Sequence, residues 1–133
     1  MIMKMAENND DARNLMTIPG ISYYSALMII SEIGDIGRFT DSNHLVSYSG
    51  LSPSTHSSGK KTFYGPITKQ GSKYLRWILN QVTWANIRSE PDGTVGKFYA
   101  KIKRKKGSAI AITAAKMLRI IYWVLKEHRP YHS

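Results

Sequence analysis

The sequence predicts a mainly α fold: two short helices joined by a hairpin, a third short helix, a long Ser/Gly/Lys loop, then three more helices. Three observations predict it. Apolar residues recur at helical spacing through residues 73–88, 94–106 and 109–127. Turn and capping residues bracket the shorter apolar stretches before residue 50. Strand-like character is confined to residues 61–64 and 67–68, which leave room for one short β ribbon inside the loop. With 133 residues, 42% of them hydrophobic, the chain can bury one core but not two.

In chain order, residues 1–11 read as a flexible tail, residues 12–128 as one domain and residues 129–133 as a tail expected to fray. Residues 12–50 form the hairpin part. Asn14-Leu15-Met16-Thr17 ends a first helix that Pro19 closes, Gly20 can take a positive φ, and Ser22 can cap the amides that follow. Ala26, Leu27, Ile29, Ile30 and Ile33 then suit a largely buried helix ended by Gly34 and Gly37. Asp41 or Ser42 can cap a third helix carrying Leu45, Val46 and Tyr48, with Gly50 as its terminator. Residues 51–72 hold Pro53, Gly59, Gly65, Pro66 and Gly71 among serines and threonines, which is too broken for a helix. A loop of that length inside a domain is usually functional or disordered.

Residues 73–128 form the helical part. Leu75, Leu79 and Val82 line one face of its first helix, while Lys73, Trp77, Asn80, Trp84 and Arg88 fall on another. Glu90-Pro91-Asp92-Gly93 ends it. Val95, Phe98, Tyr99 and Ile102 point inward from the second, which is expected to run to about Lys106. Ile110, Ala114, Met117, Ile121 and Val124 do so from the last.

Charge separates the two halves. The chain carries 19 Lys and Arg against 9 Asp and Glu, a formal charge of +10. Residues 1–50 place Lys4, Arg13 and Arg38 against Glu7, Asp10, Asp11, Glu32, Asp35 and Asp41, a net −3, which leaves +13 to residues 51–133. A polyanion is the partner such a half favours. Cysteine is absent, excluding a disulfide scaffold, a thiolate zinc site and a cysteine nucleophile. Lys116 and Arg119 interrupt the most apolar stretch, and acidic residues follow Met1-Ile2-Met3-Lys4, so neither a membrane span nor a secretory signal is expected and the cytoplasm is the expected location.

Ile18-Pro19-Gly20-Ile21-Ser22 resembles a helix-hairpin-helix element, in which Gly20 and the amides opening the second helix would approach a DNA phosphate. Ser22 stands where that pattern usually has a second glycine, and the surrounding charge is negative. A hairpin that serves only to pack is an equal reading. Two stripes interleave cations with indoles: Lys116, Arg119, Trp123 and Lys126 on the last helix, and Lys73, Trp77, Trp84 and Arg88 on the earlier one. Such stripes can hold phosphates and stack on bases, although tryptophans at helical spacing more often belong to a core or a subunit interface. Lys101, Lys103, Arg104, Lys105 and Lys106 form a basic run at a helix end. His44, His56, His128 and His132 are scattered, and the acids form no cluster for two cations, so no metal is expected on this chain.

The loop offers Ser57-Ser58-Gly59 flanked by Lys60, Lys61, Lys69, Lys73 and Arg76. A serine attacking a phosphodiester needs exposure, activation and nearby cations. The order of blocks adds weight. The Ile-Pro-Gly-Ile hairpin, Phe39, Tyr48-Ser49-Gly50-Leu51-Ser52-Pro53, Ser57-Ser58-Gly59 and Ile67-Thr68-Lys69-Gln70-Gly71-Ser72-Lys73-Tyr74-Leu75-Arg76 together resemble the C-terminal domain of the Piv-invertase-like insertion-sequence transposases, from about Leu15 to Val124.

That resemblance implies a part in DNA recombination and transposition. Family members pair an N-terminal RuvC-like domain, whose acidic residues bind divalent metal, with this C-terminal domain, which contributes a serine to a serine-linked DNA intermediate in RNA-guided strand exchange. Here the serine corresponds to Ser58, with Ser57 next, and Lys69, Gly71 and Arg76 match the basic block. The implied partners are DNA at the element's ends and target, a guide RNA, and further copies of the chain. Divalent metal is implied only in the RuvC-like domain. The expectation is therefore a C-terminal piece of a longer protein or a truncated copy, inactive alone, with a non-catalytic helix-hairpin-helix module for DNA or RNA as the alternative.

Overall fold

Local capping sets the helix ends. In the computed structural model, which describes residues 9–51, 61–104 and 109–131, and of residues 61–72 the backbone only, α1 spans Asp10–Met16 behind an Asn9 cap. The Asn9 side chain accepts the Ala12 amide, and Asp10 and Asp11 sit favourably at the positive end of the helix. Ser22 caps α2 (Tyr23–Ile33) by accepting the Ser25 amide at 3.2 Å. A 3₁₀ turn, Ile36–Arg38, leads to α3 (Ser42–Ser49), capped by Asp41 through the His44 amide and ended by Gly50 at φ 78°. Then come α4 (Lys61–Ser89), α5 (Thr94–Ile102) and α6 (Ala109–Glu127).

The described residues are thus mainly helical, with three helices after the loop as expected and no strand. α4 begins at Lys61 rather than Lys73, so residues 61–72, expected as loop and ribbon, are helical. Gly65, Pro66 and Gly71 weigh against a helix locally. Adding turns to a helix already anchored from Leu75 onward avoids the cost of nucleation. Residues 52–60 of the expected loop lie outside the described residues.

α6 is the centre of the packing. It touches α1, α3, α4, α5 and the 3₁₀ turn, and Ala114, Met117, Leu118, Ile121 and Tyr122 are buried along it. More than one stripe is covered because neighbours lie on several sides, which is why Leu118, Tyr122 and Leu125 join the expected inward residues while Ile110 is only half-buried. The Tyr122 hydroxyl meets its need for a partner by donating to the Phe39 carbonyl at 3.3 Å.

α4 is the second axis. It buries Leu75, Ile78, Leu79 and Val82, and α2, α3, α5 and α6 pack on it. Asn86 continues this buried register, and its side-chain amide donates to the Pro19 carbonyl at 2.6 Å. At the same place Gly20 has φ 96°, and a Cβ there would lie 2.5 Å from the Asn86 nitrogen. Only glycine allows the hairpin backbone this close to α4. Gly96 plays a similar part in α5, where a Cβ would meet the Pro91 carbonyl oxygen at 2.3 Å, so the Glu90–Gly93 turn can fold onto the helix start.

Three boundaries differ from expectation. α5 ends at Ile102, with Lys103 and Arg104 in the turn beyond it. α1 takes in Asp10 and Asp11, assigned above to the tail. Through Tyr131 the C-terminal segment does not fray: its amide donates to the Thr17 hydroxyl at 2.9 Å, and its ring packs against the core. His128, in the left-handed conformation at φ 54°, turns the chain toward α1, with its Nδ1 3.1 Å from a carboxylate oxygen of Asp11.

Gly20→Ala is expected to lower stability by about 3 kcal/mol, because it adds strain at positive φ and a backbone clash together. Urea denaturation measures this, and a variant of native stability would remove the close-approach argument.

Candidate nucleic-acid interface

Five acids of the first half gather on its short elements, while many of the exposed cations lie later in the chain. Asp10 and Asp11 lie on α1, Glu32 on α2, and Asp35 and Asp41 beside the 3₁₀ turn. Exposed cations lie on α4 (Lys73, Arg88), on α5 (Lys97, Lys101) and in the turn after it (Lys103, Arg104). Ion pairs among the described residues engage Arg13, His44, His128 and Arg129, and none of these six cations.

Other basic residues are committed within the fold. Arg38 donates through Nε and Nη2 to the Ile33 carbonyl at 3.0 and 2.8 Å, closing the C-terminus of α2, and its guanidinium lies 4.6 Å from the Phe39 ring centroid and 5.0 Å from that of Tyr48. Arg76, expected at the phosphate, is half-buried and donates to the Ser49 carbonyl at 3.4 Å, tying α4 to the end of α3 just before the Gly50-Leu51 exit. Arg119 donates to Asn43 at 3.1 Å, and the Lys116 ammonium lies 5.0 Å from the Phe98 ring centroid. The α6 stripe is therefore largely occupied, leaving Trp123 and Lys126 exposed.

The α4 stripe is not. Lys73, Trp77, Gln81, Trp84 and Arg88 are all exposed, on the side opposite Leu75, Leu79, Val82 and Asn86. Trp77 is 53% exposed and Trp84 38%. Neither is a core residue. Trp84 meets Tyr99 of α5 edge-on, with ring centroids 5.4 Å apart.

Of the residues singled out in the sequence, Lys73, Arg76, Lys101, Lys103 and Arg104 are described, with Lys73 on α4 and the last three at the end of α5. Lys61, Lys69 and Gly71 lie on the α4 backbone. Ser57, Ser58, Lys60, Lys105 and Lys106 lie outside the described residues. Gly20 serves the hairpin's contact with α4. Asn86 escaped the sequence reading, though a signal was present: it falls in register with Leu75, Leu79 and Val82, where a polar side chain needs a partner.

Residues 12–100 match the profile of the Transposase IS116/IS110/IS902 family. Among curated relatives, the transposase for insertion sequence element IS1111A of Coxiella burnetii is 32% identical over 124 residues, covering 91% of this chain and 34% of that protein. The pilin gene-inverting protein of Moraxella bovis is 35% identical over 129 residues, or 94% of this chain and 40% of that protein. The transposase for insertion sequence element IS1328 of Yersinia enterocolitica is 27% identical over 121 residues, 89% and 36% respectively. The chain thus spans between a third and two fifths of the length of these relatives. No solved structure matches it.

Because Arg38 closes α2 and stacks on two rings, Arg38→Ala is expected to cost about 1–2 kcal/mol in stability with no measurable change in nucleic-acid affinity. Thermal denaturation beside a binding titration checks both. An affinity loss at unchanged stability would move Arg38 to the interface.

Proposed function

The chain belongs to the IS116/IS110/IS902 transposase family, and from that membership we propose that it is the C-terminal, DNA-handling part of an insertion-sequence transposase. The observation that carries this reading is the family match over residues 12–100. The arrangement of charge supports it: cations without ion-pair partners among the described residues cluster on α4 and α5, and phosphates are the anions such a surface suits. In this reading the partners are the DNA ends of the element and its target, with a guide RNA and further copies of the chain.

Chemistry is assigned to Ser58, with Ser57 next to it. The serine oxygen bonds to phosphorus, and the displaced deoxyribose oxygen leaves as a free hydroxyl, so the strand is held as a phosphoserine ester ready for rejoining. Lys60, Lys61, Lys69, Gly71, Lys73 and Arg76 follow that block in sequence. Lys69 offsets the charge that develops on the phosphate, and Arg76, which donates to the Ser49 carbonyl, holds α4 to the end of α3. Divalent metal belongs to a RuvC-like domain of the whole protein. Among the described residues no three His, Asp or Glu side chains gather as ligands. The chain alone is expected to bind DNA without breaking it.

Duplex affinity should fall by about 10³-fold between about 50 and 200 mM salt if several phosphates are engaged. Replacing Lys101, Lys103 and Arg104 together by Gln should reduce the salt slope by about 2–3. Salt-independent binding, or an unchanged slope in the triple variant, would overturn the placement of the interface.

For the chemistry, trapping the full-length protein on DNA and mapping the adduct by mass spectrometry should find Ser58 esterified. An adduct on Ser57 shifts the assignment by one residue. Full recombination by the double Ser57→Ala, Ser58→Ala variant would leave the chain a non-catalytic binding module.

A further inference from the structure

We propose that the face of α4 formed by Lys73, Trp77, Gln81, Trp84 and Arg88 is a stacking platform for the unpaired bases of single-stranded DNA. The inference rests on the DNA-handling reading above and adds which state of the DNA is held, and by which side chains. The five positions recur every three or four residues, so they form one stripe directly opposite the buried register of α4. Trp77 and Trp84 are two turns apart, about 10 Å along the axis, with a cation about one turn beyond each. The pattern is cation, indole, amide, indole, cation.

Exposed indoles at such a spacing call for an explanation, since burying their apolar area is favourable and this fold leaves it undone. Charge selects what covers them. The stripe contains no acid, and the nearest acids in sequence, Glu90 and Asp92, lie in the turn past the helix end, where the Glu90 carboxylate folds over Gly93. A second copy pairing through this face would bring Lys73 and Arg88 against like charges around a drying apolar centre, which opposes association. A nucleic-acid strand brings the opposite charge.

The rings select the strand state. In a duplex the base faces are already stacked on one another, whereas an unpaired base offers its face to an indole. Trp84 is also steadied by its edge-on contact with Tyr99, so little ordering is left to be done on binding.

The test uses the 133-residue chain and labelled oligonucleotides of about 15 nucleotides, a length that covers one such site. Binding of an oligothymidine strand and of a mixed-sequence duplex is followed by fluorescence anisotropy. The double variant Trp77→Ala, Trp84→Ala should lose about tenfold or more in affinity for the single strand while duplex binding holds. Trp77→Phe, Trp84→Phe should recover most of the loss, because a ring remains. Circular dichroism shows whether each variant is folded, and the Phe pair keeps the test open should the Ala pair unfold.

Equal losses for strand and duplex, or no loss for either, would overturn the platform and leave the DNA-handling reading standing. A wild-type chain that binds neither would overturn both. Tighter binding of the RNA counterpart, with the same loss in the Ala variant, would overturn the assignment to DNA. An Ala variant that turns an oligomer into a monomer in light scattering, with single-strand affinity intact, would make the face an interface between copies.

Discussion

The close approach of the Pro19-Gly20 turn to the Ala85–Asn86 backbone is the constraint on which the arrangement depends. It joins residues 67 positions apart in the chain and welds the acidic first half to the C-terminal end of α4. Two things must hold for it. Gly20 has to lack a side chain, and Asn86, itself buried, has to find in the half-buried Pro19 carbonyl the acceptor its amide requires. With that side of α4 committed to the hairpin, the opposite side has to face outward, and the helix period places Trp77 and Trp84 there.

The same economy explains how the basic residues divide. Arg38, Arg76 and Arg119 each reach an oxygen within the fold, two of them at the carbonyl end of a helix, where a planar guanidinium can satisfy an otherwise orphaned acceptor. Lys73, Lys97 and Lys101 make no such bond among the described residues and stay exposed.

The helix-hairpin-helix likeness of residues 18–22 shows how one sequence pattern can meet two demands. Gly20 takes the positive φ that a phosphate-binding hairpin also uses, but here its open side is filled by α4. Tight backbone approach is the shared requirement, and the neighbouring surface decides what approaches.

Local interactions were legible in the sequence because they join residues only a few positions apart. Ser22, Asp41 and Gly50 cap or end their helices as their chemistry dictates, and the buried registers of α2 and α4 follow the apolar spacing, whereas on α5 Val95 is buried and Phe98, Tyr99 and Ile102 are only half-buried. Tertiary structure decided what depends on distant partners. It turned the tryptophans of α4 outward, bound Arg76 to Ser49, docked Tyr131 against the core and Thr17, and carried α4 back to Lys61 despite Gly65 and Pro66. A capping bond is written within three or four residues, whereas the exposure of a side chain depends on which remote element covers that face, and no local pattern encodes that choice.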